Sequence, residues 1–397
     1  MKKRFPNGGR LFALGSALAL LLGANFAHAD EVTVGVIASF TGPYGSFGTN
    51  EQQAVELAMA EIGGHVGDHT VKLIYRDVGG SNPPRAKQLA EELVVRDKVQ
   101  YLAGLEFTPT VLALADVINE AKIPFVMFNS GTSDVTRKSQ FYVRPGFTEW
   151  EVAVPSAQWA ADHGKKTAVI IAADYAPGKD AFDAFHYGFE SKGGKIVEEI
   201  RVPLGTADFS PYLQKIRDLK PDCTLMFMPG GPMSIGFIKA YDDTGLRQSV
   251  ELFGGGETSE KDLPAMGAGT IGITTAANYS PDLQNPTNKA FVAAYKAKYG
   301  KDNVPDGITV SAYDTMRVIF HMIEATNGQR DGVKAIEAAK GFSWNSPRGA
   351  VMIDPKTRDI IQPIYIRQVT MADGALVNRE IFVYPAVKDP WKELHPE

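Results

Sequence analysis

The strongest constraint on the fold is that short β-rich segments alternate with segments of helical periodicity along most of the chain. A helix is predicted from about residue 49, and two more at 84–95 and 110–120, because apolar residues recur there every three or four positions. This alternation predicts parallel sheets that are covered by helices on both faces. The strands of this first series are predicted at 32–37, 71–75, 100–103 and 124–128.

A second series of the same kind begins after residue 145. Two series of similar size imply two α/β lobes, and ligands of open α/β sheets bind beyond the carboxyl ends of the strands. We therefore predict a binding site in a cleft between the lobes. The helices of this series are predicted at 149–163, 178–192, 288–299 and 305–326, and its strands at 167–172, 195–202, 223–228, 251–253, 271–275, 350–353 and 363–370.

Residues 1–29 have the pattern of a secretory signal peptide. Four Lys or Arg residues in the first ten positions precede an apolar segment at 11–24, and a small-x-small motif ends at Ala29. The apolar segment is shorter than the roughly 20 residues that span a bilayer, so a membrane anchor is not expected. Cys223 is the single cysteine, which excludes a disulfide framework and indicates a core residue. We predict cleavage after Ala29 and a periplasmic protein.

The charge balance and the motifs exclude several classes of function. The chain has 41 Lys and Arg against 46 Asp and Glu, and this formal charge of -5 gives no basic surface for nucleic acid. The G-x-G-x-x-G pattern at 267–272 precedes a strand instead of following one, and the other nucleotide-binding and nucleophile motifs are missing from the sequence. His65 and His69 lie in a glycine-rich turn, so no metal site and no cofactor are predicted.

The strand-end loops are rich in small, hydroxyl and aromatic residues, which bind small polar ligands without reacting with them. Backbone N–H groups and hydroxyls at helix N-termini favour an anion such as a carboxylate. Helix capping is the alternative explanation for the Thr, Ser and Asn residues. An enzyme would need a perturbed acid or base, for which Glu106 and Glu257 are the nearby candidates. Thr108, Asn129 and Ser130 are the best candidates for binding the anion. The same loops carry the other residues predicted to line the site, which are Tyr44, Phe47, Phe107, Tyr175, Gly231 and Glu257.

With these loops in view, the chain resembles type I periplasmic solute-binding proteins of ABC importers, in the leucine/isoleucine/valine-binding-protein-like group. The resemblance implies two Rossmann-like lobes joined by a hinge of three crossovers, near Phe147, Asn278 and Trp344. The implied lobes are 30–147 plus 278–345, and 148–277 plus 346–397. The motifs that carry the resemblance are 34–44, 76–78, 84–86, 103–104, 123–126, 141–145, 208–213 and 220–222.

The resemblance also implies roles for individual residues. A ligand carboxylate is held by Thr108, Asn129 and Ser130, while Phe47 and Tyr175 cover the ligand. An acidic residue near Glu257 takes the ammonium group of an amino acid. These six positions are matched to the family one by one.

Two departures from the family pattern affect the expected ligand. Gly131 stands where a threonine often contacts the carboxylate, and glycines 230 and 231 stand where branched-chain binders tend to have bulky aromatic residues. The second-lobe wall is therefore expected to be roomier, which makes an aromatic carboxylate a candidate ligand beside an amino acid.

The predicted function is capture of a small carboxylate-bearing solute by hinge closure, followed by delivery to an inner-membrane ABC permease. We expect a monomer, because the permease must contact both lobes of one molecule. The alternative is a sensor subunit that presents the same closed state to a signalling partner. No enzymatic activity is predicted.

Overall fold

The computed structural model of the protein describes residues 31–396 and contains two β-sheets, each flanked by helices. The predicted signal peptide at 1–29 lies outside the described residues. None of the helices between residues 31 and 396 has the length and hydropathy needed to cross a bilayer.

The first sheet has the strand order β2-β3-β1-β4-β5-β6. Its strands are parallel except for β2, which forms an antiparallel hairpin with β3. The strands are β1 (Glu31–Ala38), β2 (His65–Val66), β3 (His69–Asp77), β4 (Tyr101–Gly104), β5 (Phe125–Met127) and β6 (Tyr142–Val143). The helices of this part of the chain are α1 (Gly45–Glu61), α2 (Pro83–Glu91), α3 (Thr108–Leu112) and α4 (Ala115–Ala121).

The second sheet has the order β12-β13-β14-β11-β10-β9-β7-β8, with β15 paired to β14. Its strands are β7 (Thr167–Ala173), β8 (Lys195–Val202), β9 (Cys223–Phe227), β10 (Glu251–Gly254), β11 (Thr274–Ala277), β12 (Ser343–Ser346), β13 (Gly349–Ile353), β14 (Ile360–Ala372) and β15 (Ala375–Val387). The helices from residue 149 onward are α5 (Glu149–Asp162), α6 (Ala176–Glu190), α7 (Ser210–Leu219), α8 (Pro232–Asp243), α9 (Leu263–Met266), α10 (Pro286–Tyr299), α11 (Gly307–Thr326), α12 (Gly332–Ala339) and α13 (Pro390–Leu394).

The second sheet is mixed, with a parallel centre and antiparallel strands at one side. Strands β7 to β11 are parallel, whereas β14 runs antiparallel to β11 and β15. A two-residue turn joins β14 to β15, and both of its residues, Asp373 and Gly374, have positive φ. Asp-Gly is a favoured pair for such a turn, and it forces an antiparallel hairpin. The predicted α/β fold with two sheets rich in parallel strands is confirmed.

The limits of several predicted helices shift by a few residues, and two of the differences have a clear physical cause. Helix α1 begins at Gly45 instead of near residue 49, because the glycines of this segment belong to the helix. A Cβ atom at Gly48 would lie 2.3 Å from the Ser39 carbonyl oxygen, so the close approach of α1 to β1 requires glycine there. The helix predicted at 110–120 is divided into α3 and α4, and α3 starts at Thr108 with Pro109 in its first turn.

The chain passes between the two sheets three times, at 144–148, at 278–285 and at 340–342. Helices α10 to α12 follow β11 of the second sheet in sequence, yet Phe291, Met316 and Ile336 belong to the hydrophobic core around the first sheet. Separate apolar clusters cover the second sheet. The residue limits implied for the two lobes stay a prediction.

Candidate functional site

A cavity of about 150 Å³ lies where the carboxyl ends of the two sheets face each other. Loops after β1, β4 and β5 form one side, and loops after β7, β9 and β10 form the other. Residues 277–279 at the end of β11, residues 306–308 and 311 at the start of α11, and Arg367 of β14 complete the lining of the cavity. The cavity occupies the position predicted for an interlobe site.

Aromatic rings form opposite walls of this cavity. On the first-sheet side, Phe47 and Phe107 are stacked with ring centroids 6.5 Å apart and are 9% and 6% exposed. On the other side, Tyr175 and Phe227 are stacked at 6.0 Å. Tyr44 contacts Phe107 edge-to-face, at 4.8 Å between ring centroids. The walls therefore suit a flat, apolar ligand body.

The second-sheet loops contribute bare backbone to the cavity at glycines 230, 255 and 256. A Cβ atom at Gly230 would lie 3.4 Å from Phe47 Cζ, so this glycine sets the space beside the ring. Gly231 takes a structural position instead: its φ is +81° and its N–H donates to Asp262 Oδ2 at 2.9 Å.

The predicted hydroxyl residues of the first-sheet loops lie behind the cavity wall. Thr108 Oγ1 is 3.1 Å from Ser130 Oγ and donates to Thr132 Oγ1 at 3.0 Å, and both Thr108 and Ser130 are fully buried. Arg144 donates to the Ser130 and Thr132 carbonyl oxygens at 2.7 and 2.6 Å. These bonds hold the loop that presents Asn129 to the cavity, where its Oδ1 has no hydrogen-bond partner among residues 31–396.

Two buried carboxyl groups, of Glu149 and Glu257, face the cavity. Burial raises the pKa of Glu257 to about 8, and burial together with the charge of Glu257 raises the pKa of Glu149 well above its usual range. In the described part of the chain, none of their four oxygens makes a hydrogen bond. The cavity therefore holds two unpaired acids whose burial favours the protonated form.

A second acidic pair lies below the first-sheet wall. Glu106 lines the cavity, and its carboxylate accepts hydrogen bonds from the Ser39 N–H at 2.7 Å and the Ser39 hydroxyl at 3.1 Å. Burial raises the pKa of Glu51 well above its usual range, and the neighbouring Glu106 raises it further. Burial therefore favours the protonated form of Glu51 beside Glu106, and Ser39 orients Glu106.

Several cavity residues are missing from the sequence prediction, above all Glu149, Asn278 and Arg367. Arg367 is 2% exposed and donates to the Tyr279 carbonyl oxygen at 2.5 Å and to Thr275 Oγ1 at 3.2 Å. Within residues 31–396, its Nε and the Asn278 Nδ2 have no acceptor. In the sequence, Arg367 interrupts an apolar strand segment formed by residues 364–366 and 369. A charged residue in such a segment needs a buried partner, and this was the available signal for the site.

Direct contacts connect the two sides of the cleft. The Ser133 N–H donates to Asp180 Oδ2 at 2.8 Å, Ser259 Oγ donates to Asp306 Oδ2 at 3.0 Å, and Lys261 donates from Nζ to Asn303 Oδ1 at 2.5 Å. The structure thus represents a closed cleft. Cys223 is buried, as predicted, and among residues 31–396 no group of three or more His, Cys, Asp or Glu side chains is arranged to hold a metal ion.

Comparison with known proteins gives consistent matches over nearly the whole chain. The sequence model of a family described as "Periplasmic binding protein" matches residues 31–375. "Leu/Ile/Val-binding protein homolog 6" of Brucella melitensis biotype 1 is 44% identical over 94% of this chain and 97% of its own length.

Two solved structures of ABC-transporter solute-binding proteins also match. One from R. palustris, in complex with 4-hydroxybenzoate, is 44% identical with a TM-score of 0.88 and covers 91% of this chain and 98% of its own. Another from Rhodopseudomonas palustris BisB5, in complex with 3,4-dihydroxybenzoic acid, is 40% identical with a TM-score of 0.88 and covers 91% and 99%.

Proposed function

We propose, since this chain belongs to the periplasmic binding protein family, that it captures an aromatic carboxylate and delivers it to an inner-membrane ABC permease. The observation that carries the proposal is the aromatic cavity between the two sheets, with Phe47 and Phe107 on one wall and Tyr175 and Phe227 on the other. Stacked rings and bare glycine backbone leave room for a flat ring between the walls.

The polar groups of the cavity support a carboxylate. Arg367 Nε and Asn278 Nδ2 are buried donors that lack an acceptor in the described residues, and both residues line the cavity. A ligand carboxylate supplies acceptors for such donors, and leaving them unpaired is costly. Solved relatives at 44% and 40% identity hold hydroxylated benzoic acids, which combine a carboxylate with a ring.

Closure explains how capture is coupled to transport. The contacts from Ser133 to Asp180 and from Lys261 to Asn303 exist only when the two sides of the cleft meet. A ligand that contacts both sides stabilises the closed form over an open one. We therefore expect the permease to distinguish loaded protein from empty protein by this closure.

A branched-chain amino acid is the second candidate ligand. The acidic side chains Glu149 and Glu257 lie in the cavity, where an ammonium group could meet them. The curated relative at 44% identity is called a Leu/Ile/Val-binding protein homolog. Burial raises the pKa of both carboxyls, so holding them as carboxylates beside an ammonium carries a desolvation cost that an aromatic acid avoids.

Thermal unfolding with and without ligand tests the proposal. The protein is first unfolded and refolded to remove carried-over ligand, and then mixed with benzoate, 4-hydroxybenzoate, leucine, valine or phenylalanine. A ligand at about 1,000 times its Kd stabilises the fold by roughly 4 kcal/mol, so we expect a clear rise of Tm with an aromatic acid. A rise with leucine and valine alone would overturn the proposal.

Replacing Gly230 tests whether the glycine wall makes the space for the ring. Gly230→Leu is expected to weaken 4-hydroxybenzoate binding by at least about 30-fold, because the larger side chain occupies the space beside Phe47. Gly230→Ala is the matched control, since its Cβ would make an ordinary 3.4 Å contact and should change the Kd by less than about threefold. Titration calorimetry measures both. Equal affinities in the two variants would mean that this wall does not contact the ligand.

A further inference from the structure

Glu149 occupies a position between the two sides of the cleft. It is the first residue of α5, directly after the crossing at 144–148, and it is fully buried. A Cβ atom at Gly255 would lie 3.1 Å from Glu149 Oε1, and one at Gly131 would lie 3.7 Å from Oε2. Because these glycines have no side chains, no side chain from either position covers the Glu149 carboxyl on its cavity side.

Glu257 approaches the same part of the cavity from the loop after β10. Its side chain is 4% exposed, and its Oε2 would lie 2.2 Å from a Cβ atom at Gly254. Backbone N–H groups of Gly255 and Met228 lie near its oxygens and partly offset the effect of burial on its pKa. None of them makes a hydrogen bond of normal geometry within the described residues. The carboxyl of Glu257 therefore remains available to a ligand.

The two carboxyls need a partner that they do not find in the described part of the protein. Burial is the first cause that raises the pKa of both groups, and it favours their protonated, neutral form. A neutral carboxyl offers one O–H donor and a carbonyl acceptor. The matching group is one that donates and accepts, such as a hydroxyl, rather than a cation. An unpaired buried carboxyl costs free energy that such a group recovers.

We propose that Glu149 and Glu257 together bind a ring hydroxyl of the ligand, and so select hydroxybenzoates over unsubstituted benzoate. This inference rests on the proposed function, because it assumes that the ligand is an aromatic carboxylate. The carboxylate of the ligand is then directed to Arg367 and Asn278, and its ring lies between the aromatic walls.

Glu149 and Glu257 discriminate against benzoate because a ligand without the hydroxyl leaves both acids unpaired. Sites built around a substrate hydroxyl discriminate strongly against analogues that lack it, for this reason. We expect the protein to bind 4-hydroxybenzoate at least about 100-fold more tightly than benzoate. We expect 4-fluorobenzoate, which has a similar shape and no donor, to bind as weakly as benzoate.

Titration calorimetry on the wild type and on two variants tests the inference. Glu149→Met and Glu257→Met are each expected to reduce the ratio of the two affinities to below about tenfold, mainly through weaker binding of 4-hydroxybenzoate. A loss that is merely structural would lower both affinities together. Glu149→Gln should retain most of the selectivity, because an amide also donates and accepts. Glu251→Met is the control: Glu251 begins β10 and pairs with Lys165 at 2.6 Å, outside the cavity.

The outcomes separate the inference from the proposed function. If wild-type protein binds benzoate, 4-fluorobenzoate and 4-hydroxybenzoate equally, the inference is wrong and the proposed function stands. If leucine binds and no benzoic acid does, the proposed function is wrong and the inference falls with it. The wild-type affinities decide the first point even if a methionine variant fails to fold. Selectivity that survives in both methionine variants would also overturn the inference.

Discussion

Replacing Arg348 by methionine is expected to lower the free energy of unfolding by about 3–5 kcal/mol, because the change leaves a buried carboxylate without its cation. Arg348 and Asp314 are fully buried, and their closest contacts are 2.8 and 2.9 Å. Arg348 Nη1 also donates to the Gly146 carbonyl oxygen at 3.0 Å and to Gln362 Oε1 at 2.7 Å. Its Nη2 donates to the Pro145 carbonyl oxygen at 2.6 Å. One guanidinium thus connects α11, β14 and the crossing after β6.

Urea unfolding followed by tryptophan fluorescence measures this loss. Arg379→Met is the matched control, because Arg379 is 56% exposed and contacts Asp282 at 3.6 Å on the surface. Such exposed pairs contribute about 0–1 kcal/mol. The double variant Arg348→Met with Asp314→Leu should recover part of the loss, since it removes both buried charges. A loss in Arg348→Met no larger than in Arg379→Met would contradict the prediction.

The fold could be predicted because local sequence carries most of its information. The strands of the parallel sheets are buried on both faces, so β1 and β7 appear as continuous apolar runs between helical segments. Limits were missed where glycine had a packing role: Gly45 and Gly48 resemble turn residues in the sequence but lie in α1. The antiparallel β14–β15 hairpin depends on the Asp373-Gly374 turn. The sequence prediction did not include this turn or the strand that follows it.

The candidate site could be predicted only where it is built from strand-end loops. Phe47, Phe107, Asn129, Tyr175 and Glu257 all follow a strand and line the cavity, because the carboxyl ends of parallel strands meet at one edge. Which residue of each loop reaches the cavity is not a local property. Thr108 and Ser130, for example, bind each other behind the wall, and Ser130 has a φ of +94° that turns its backbone.

The residues that the prediction missed come from the crossings and from a strand interior. Glu149 reaches the cavity only because the crossing at 144–148 places the start of α5 between the two sheets. Arg367 lies inside β14, more than two hundred residues after the first cavity loops in the sequence. Their place depends on how the two sheets face each other, which periodicity and turn signals do not encode.

Glu257 gives the protein a pH dependence that a neutral substitution should remove. Burial raises its pKa from an ordinary 4.5 to about 8, so the folded protein retains a proton that the unfolded chain releases between these values. The free energy of unfolding contributed by this group is fully present below pH 4.5 and is lost as the pH rises toward 8. At pH 7, titration of Glu257 lowers the free energy of unfolding by about 3 kcal/mol relative to its value below pH 4.5.

Glu257→Gln is therefore expected to stabilise the ligand-free protein at pH 7 by about 3 kcal/mol and to leave its stability nearly unchanged at pH 4. The amide keeps the size of the side chain and has no proton to lose, so the difference from wild type should grow by about 1.4 kcal/mol per pH unit between these limits. Urea unfolding at several pH values measures the slope. Glu120→Gln makes the same substitution on the exposed face of α4 and should follow the wild-type slope. A pH-independent difference between Glu257→Gln and wild type would mean that the Glu257 carboxyl is ionised in the folded protein. The gain in stability, together with a loss of hydroxybenzoate selectivity in Glu257→Met, would show that the fold tolerates an unpaired acid because the ligand uses it.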